Sequence, residues 1–186
     1  RRGAPDAKII TDIPLSIVQK SKEQVLDAAQ KVIKAGANIV KIETANKDSI
    51  QQIKLLRENN IEVMGHIGYT PQSFDKPVLV KDREALLASA HKLQEAGVMG
   101  MVLEMIPADI AKEITENLSI PTIGIGAGVD CSGQVLVSDD MLGRYNLFSP
   151  KFLKRYANQH EESVTAFKEY IADVKAEKFP AEEHSY

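Results

Sequence analysis

Two hydrophobic periods alternate along this chain, and that alternation limits the possible folds more than any other feature. Short β-branched or apolar runs stand at Lys8–Asp12, Ile39–Glu43, Glu62–Ile67, Met99–Glu104, Thr122–Ile125 and Gln134–Val137. Between them, apolar residues recur at helical spacing. The first helical stretch puts Val25, Leu26, Ala29, Val32 and Ile33 on one face, with Ser21 and Gln24 placed as a capping box and Gly36 as the stop. Others run near Asp48–Asn59, Arg83–Ala96 and Ala108–Asn117, and a last one sets Val164, Phe167, Ile171 and Val174 on one side. Strands alternating with helices predict βαβ units and a parallel sheet.

Two of these units resemble each other. Ala35-Gly36 leads eight residues on to Glu43 in AGANIVKIE, and Ala96-Gly97 leads by the same interval to Glu104 in AGVMGMVLE. A shared helix-to-strand turn accounts for the Ala-Gly pair. It does not account for a carboxylate at the end of both strands.

Asp12, Glu43, His66 and Glu104 all fall at, or one residue from, the C-terminal end of a predicted strand. In parallel α/β folds that edge carries the chemistry. Strand alternation sets Lys41 and Glu43 on one face and Val40 and Ile42 on the other. In a barrel the apolar pair would face the helices and the charged pair the interior mouth, where unpaired charges are costly and must meet a partner, a metal or a ligand. Each residue also has a plainer explanation. Asp12 precedes Ile13-Pro14 and could start a turn; Lys41 and Glu43 could be a structural ion pair; His66 could be a satisfied core histidine. Glu104 is harder to explain away, because it ends the apolar run of Met101, Val102 and Leu103 and would be partly desolvated, the setting of a general base.

The 186 residues suit one domain, 1–186, with a real core, and a hydrophobic share of 44% is ordinary for a globular protein. A net charge of -3 argues against nucleic acid as the partner. No apolar run is long enough for a bilayer. The chain does not open on Met, so the lack of a signal peptide carries little weight. A single cysteine, Cys131, fits a reducing, cytoplasmic setting and has no basic neighbour to activate it. Gly124-Ile-Gly-Ala-Gly128 is read as a tight turn, with phosphate binding as the alternative, and His91, His160 and His184 as surface groups.

The segments RRGAPDAKIITDIP, AGANIVKIE, MGHIGYTPQS, EAGVMGMVLEMIP, SIPTIGIGAGVDCSGQVLV, DDMLG and FPAEEHS occur in an order that resembles the ketopantoate hydroxymethyltransferase family. The resemblance implies a (β/α)8 TIM barrel of the phosphoenolpyruvate/pyruvate type with a C-terminal helical extension. It implies conversion of 3-methyl-2-oxobutanoate and 5,10-methylenetetrahydrofolate into 2-dehydropantoate and tetrahydrofolate, a step of pantothenate biosynthesis. Asp12 would bind Mg2+ and lie against the oxo-acid, Glu43 would bind or support the metal, Lys41 and His66 would bind substrate, and Glu104 would accept the proton. A homo-oligomer, a decamer in the family, is implied as well.

Three departures from the family pattern accompany the resemblance. RRGAP lies near the end of the second helix in the family, so about the first two β/α units, with a GDS-type motif that supplies a further metal aspartate, are expected to lie outside this chain. Phe74–Lys81 replaces a longer glycine-rich loop implied in any lid or folate contact, and Thr44-Ala45 replaces a glycine pair. Two other readings are a related Mg2+-dependent oxo-acid C–C lyase, which would need a cysteine-bearing loop not found here, and a degenerate or split remnant acting only as a subunit.

Overall fold

The computed structural model describes residues 2–43, 47–147 and 149–186. The chain divides into two compact units, Arg1–Val135 and Leu136–Tyr186.

The first unit contains, among the described residues, six strands: β1 (Ile10–Asp12), β2 (Ile39–Glu43), β3 (Val63–Gly68), β4 (Gly100–Glu104), β5 (Thr122–Ile125) and β6 (Gly133–Gln134). All five pairings are parallel, and the strands lie side by side in chain order. An order without reversal is that of a barrel wall, not of a doubly wound sheet with a switch point. Six strands make part of such a wall.

The helices are α1 (Leu15–Val18), α2 (Lys22–Lys34), α3 (Lys47–Glu58), α4 (Arg83–Glu95) and α5 (Ala108–Asn117). Helix α2 starts as its sequence predicts: the Ser21 hydroxyl accepts from the Gln24 N–H, and the Gln24 side chain takes the Ser21 N–H. Helix α4 is capped by Asp82, which accepts from the Ala85 N–H. The core lies between helices and sheet. Val40, Ile42, Val63, Ile67, Met101 and Leu103 point into it from the strands, and Val25, Ala29, Ile53, Leu56, Leu93 and Ile114 from the helices. Helix α4 comes close because Gly65 has no side chain; a Cβ there would meet Leu93 Cδ1 at 2.9 Å.

Two strands are shorter than expected, for a shared reason. The sequence reads Lys8–Asp12 as a strand, but the Ile9 N–H goes to the Asn38 side chain, and the ladder begins at Ile10. It reads Gln134–Val137 as another, but pairing ends with the Val135 N–H on the Gly124 carbonyl, and Val137 already leads into a helix. Each lies at a sheet edge with one neighbour, so β-branched composition alone could not define the paired length. Helix α1 is four residues long and has no periodicity to read.

The second unit holds α6 (Ser138–Met141), α7 (Gln159–Lys175) and a short 3-10 turn at Glu182–His184. The apolar stripe read on α7 is present, and Phe167, Ile171 and Val174 are exposed. The Phe179 ring sits 5.6 Å from Tyr170 and 5.1 Å from His184. Among the described residues no helix is long and apolar enough to cross a membrane.

Candidate active site

Strand register decides which charged residues meet. In the parallel ladder Asp12 pairs with Lys41, Glu43 with His66, and Gly68 with Glu104. The alternation that sends Val40 and Ile42 into the core turns Lys41 and Glu43 to the opposite face, and likewise turns His66 and Glu104 away from Ile67 and Leu103. The five polar residues singled out in the sequence therefore share one face at the C-terminal edge of the sheet.

Their side chains form a connected row. Lys41 Nζ lies 2.9 Å from Asp12 Oδ1 and 3.3 Å from His66 Nδ1. On the far side of the imidazole, His66 Nε2 stands 3.2 Å from Glu104 Oε2, while Glu43 Oε1 lies 3.8 Å from His66 Nδ1. With Lys41 donating to Nδ1, the neutral tautomer carries its proton on Nε2, which faces the Glu104 carboxylate at close range but not in hydrogen-bonding geometry. Exposure grades along the row: the side chains of His66 and Glu43 are 2% and 5% exposed, Lys41 and Glu104 15% each, and Asp12 54%. A small acid reaching this face would meet Asp12 first and then the partly covered Lys41 cation and Glu104 carboxylate.

Backbone contacts hold Glu104 from both sides. Its carbonyl accepts from the Tyr69 N–H at 2.8 Å, and the next residue, Met105, donates to the Ile125 carbonyl and accepts from the Val80 N–H. Met105 adopts φ 48, the left-handed region that a side chain disfavours, so the chain turns sharply directly after the carboxylate. Gly68 lies beside it at φ +93, and a Cβ there would fall 2.1 Å from the Glu104 carbonyl oxygen. Only glycine allows that approach.

The sequence reading passed over two neighbours of this row. Tyr69 is buried, and burial, followed by the negative charges of Glu104 and then Glu43, pushes its phenol above the usual tyrosine range. Gln72 donates its backbone N–H to Glu43 Oε2 at 3.1 Å. Neither carries a pattern signal, because Tyr69 reads as one more apolar residue and Gln72 acts here through its main chain.

Phe74–Lys81, the departure noted after Ser73, runs from a Phe74 ring 5.9 Å from Tyr69 to the Val80 bond on Met105. A cavity of about 350 Å³ lies beneath it, with Ile67, Gly68, Thr70 and Ser89 among its walls. Thr44-Ala45 lies outside the described residues. Gly126 and Gly128 have positive φ, as a tight turn requires, and a Cβ on Gly128 would meet Ala108 Cβ at 2.5 Å, so Gly128 lets the turn pack against α5. His91 and His184 are exposed and His160 is half-buried. Burial pushes the Cys131 thiol up, opposed by hydrogen bonds with Thr122 and Thr115.

Among the described residues no three His, Cys, Asp or Glu side chains converge as a ready metal cage. Asp12 and Glu43 nevertheless supply two hard carboxylate donors. Mg2+ takes one or two carboxylates from a protein and fills its remaining positions with substrate oxygens and water, so this donor set fits.

The model of the family described as ketopantoate hydroxymethyltransferase matches residues 1–182. The chain belongs to this family. It is 46% identical over 193 residues to the 3-methyl-2-oxobutanoate hydroxymethyltransferase of Thermotoga maritima, covering all of this chain and 71% of that protein. It is 47% identical over 194 residues to the protein of the same name from Pseudothermotoga lettingae, covering 73% of it. Among solved structures, the carboxyl transferase domain of Rhizobium etli pyruvate carboxylase is similar in fold, with a TM-score of 0.52 at 15% identity over 67% of this chain and 23% of that one. That likeness concerns the fold alone.

Proposed function

We propose that this chain carries the catalytic face of a 3-methyl-2-oxobutanoate hydroxymethyltransferase of pantothenate synthesis, taking the one-carbon unit from 5,10-methylenetetrahydrofolate and giving 2-dehydropantoate. The observation that carries this reading is the row Asp12–Lys41–His66–Glu104, with Glu43 beside it, on one sheet edge of a chain in this family.

The reaction needs a proton removed from C3 of a 2-oxo acid and negative charge held on the oxygens at the other end. Glu104 is the base: it is mostly buried, ends an apolar strand, and is oriented by His66 and by its own main-chain bonds. Lys41 binds the substrate carboxylate, leaving Asp12 free for the metal. His66 keeps Lys41 and Glu104 in register. Asp12 and Glu43 would hold Mg2+, which when bound acts as a Lewis acid on the keto and carboxylate oxygens. The deprotonated C3 then forms its bond to the methylene carbon of the folate, water supplies the hydroxyl, and tetrahydrofolate leaves. No side-chain nucleophile is required, in keeping with a Cys131 thiol pushed up by burial. Family membership also supports a cytoplasmic homo-oligomer, a decamer by resemblance, with no nucleic-acid or membrane partner.

The test is exchange of the C3 proton of 3-methyl-2-oxobutanoate in deuterated water by the full-length protein, followed by NMR. Exchange that requires Mg2+ and proceeds without folate, with 2-dehydropantoate formed once 5,10-methylenetetrahydrofolate is added, is the expected result. Absence of both exchange and product would overturn the reading.

A further inference from the structure

One residue outside the charged row touches two of the strand ends that build it. Helix α1 begins at Leu15, three residues after Asp12, and the preceding Pro14 provides no side-chain cap. The first N–H groups of a helix have no partner within it. Here the Leu15 N–H donates to Gln72 Oε1 at 2.6 Å, a contact from 57 residues away in sequence. The same Gln72 donates its own backbone N–H to Glu43 Oε2 at 3.1 Å. The turn Asp12–Leu15 at the end of β1 and the carboxylate at the end of β2 are thus joined through a single residue of the β3–α4 connection.

We propose that Gln72 is a positioning residue that sets the spacing between Asp12 and Glu43. The proposal rests on the reading of those two carboxylates as the metal pair. The sheet alone leaves this spacing loose: β1 is a three-residue edge strand, and among the described residues the ladder past Asp12 adds one bond, the Ile13 N–H on the Lys41 carbonyl. Asp12 itself is half exposed, and among the described residues its side chain pairs with Lys41. Without the Gln72 amide, the Leu15 N–H loses its acceptor, and although Ile13 stays buried in the core, the turn loses its tie to the β3–α4 connection and Asp12 gains freedom relative to Glu43. Glu43, by contrast, is buried and keeps its bond from a main-chain N–H. Losing the Gln72 side chain should therefore weaken cation binding while leaving proton removal by Glu104 intact.

The experiment compares the full-length wild type with Gln72→Met, which keeps length but lacks the amide oxygen, and Gln72→Glu, which keeps an acceptor. Three readouts are taken: amide hydrogen exchange at Leu15, Mn2+ affinity by calorimetry in the presence of 3-methyl-2-oxobutanoate, and kcat for C3 proton exchange at saturating metal. In Gln72→Met, Leu15 should exchange about three- to tenfold faster and Mn2+ bind weaker by a similar factor, the loss of one neutral hydrogen bond, with kcat changed less than about twofold. Gln72→Glu should restore Leu15 protection. Unchanged Leu15 exchange in Gln72→Met overturns the proposal, and so does faster exchange with Mn2+ affinity untouched, which would make Gln72 a helix cap only. Should Gln72→Met lower protection across the whole sheet, Gln72→Glu decides: Leu15 unprotected there, with the sheet intact, overturns the proposal. A wild type that binds no Mn2+ and exchanges no proton sinks the proposed function instead, and the Leu15 readout still decides whether Gln72 holds the turn.

Discussion

His66 Nε2 lies 3.2 Å from Glu104 Oε2, although the two residues occupy neighbouring strands two register positions apart. The imidazole thereby spans from β3 to the carboxylate end of β4, while its other nitrogen faces Lys41 on β2. A ring that is 2% exposed, bonded to Lys41 at one nitrogen and set against Glu104 at the other, leaves the Glu104 carboxylate little room to turn. The predictions below follow from that arrangement and from the backbone that supports it.

Glu104→Gln keeps the size and the hydrogen-bonding shape of the side chain but cannot take a proton. The rate of C3 proton exchange should fall about 10²- to 10⁴-fold, the range a positioned general base contributes. Binding of 3-methyl-2-oxobutanoate, measured by calorimetry, should stay within about threefold of the wild type, since Lys41 carries that contact. Unchanged exchange in Glu104→Gln would remove the base assignment.

His66→Leu tests the orienting ring. Leucine approximates the buried volume but leaves the Glu43 and Glu104 carboxylates without the imidazole between them. Removing a partner from buried polar groups costs about 1–3 kcal/mol, and chemical denaturation at neutral pH should register that loss. Exchange activity should fall with it, and His66→Gln, which keeps a polar group facing Glu104, should retain more activity than His66→Leu. Equal activity in the two variants would mean that the ring serves packing only.

These residues differ in how readily the sequence exposes them. Asp12, Lys41, Glu43, His66 and Glu104 were legible because polar side chains at the ends of apolar strands conflict with burial, and strand alternation assigns them a common face. Helix α2 was legible because its capping box is local. The pairing of His66 with Glu104 and of Lys41 with Asp12 was not, since both depend on register between strands distant in sequence. Nor were the true limits of the two edge strands, where an Asn38 side chain, not composition, settles where β1 begins. Met105 acts through main-chain groups, and Gln72 through its main-chain N–H and a side-chain bond to Leu15 57 residues away, neither of which a residue pattern reports. Family resemblance brought fold and chemistry together sooner than periodicity could, while the contacts among the five residues come from the structure.

Gly68→Ala tests the close approach beside the base. An added Cβ would lie 2.1 Å from the Glu104 carbonyl oxygen, in a backbone held at φ +93. Backbone strain of this kind costs about 1–3 kcal/mol, and the strand must also shift to relieve the contact. Thermal melting should show a clear loss of stability, and C3 exchange should fall because the Glu104 main chain moves. Gly3→Ala is the control: nothing lies within 4 Å of its Cβ, so stability should hold within about 0.5 kcal/mol. A Gly68→Ala protein as stable and active as the wild type would contradict the geometry.

Tyr69 predicts a pH dependence of stability whose sign follows from its surroundings. Burial first, then the Glu104 and Glu43 charges, raise its phenol above the ordinary tyrosine range, so the folded chain keeps a proton that the unfolded chain has lost. The unfolded state then binds fewer protons, and stability falls as pH rises. The contribution is fully present below about pH 10, declines above it, and levels off once the folded phenol also ionises. Cys131, raised mainly by burial above the ordinary thiol range, acts in the same direction at lower pH. Denaturation midpoints measured on a Cys131→Ala background at about pH 8 and about pH 10.5 separate the two groups. Tyr69→Phe on that background should lose less stability between the two pH values than its parent does. An identical loss in both proteins would show that neither burial nor the two carboxylates raise the Tyr69 phenol.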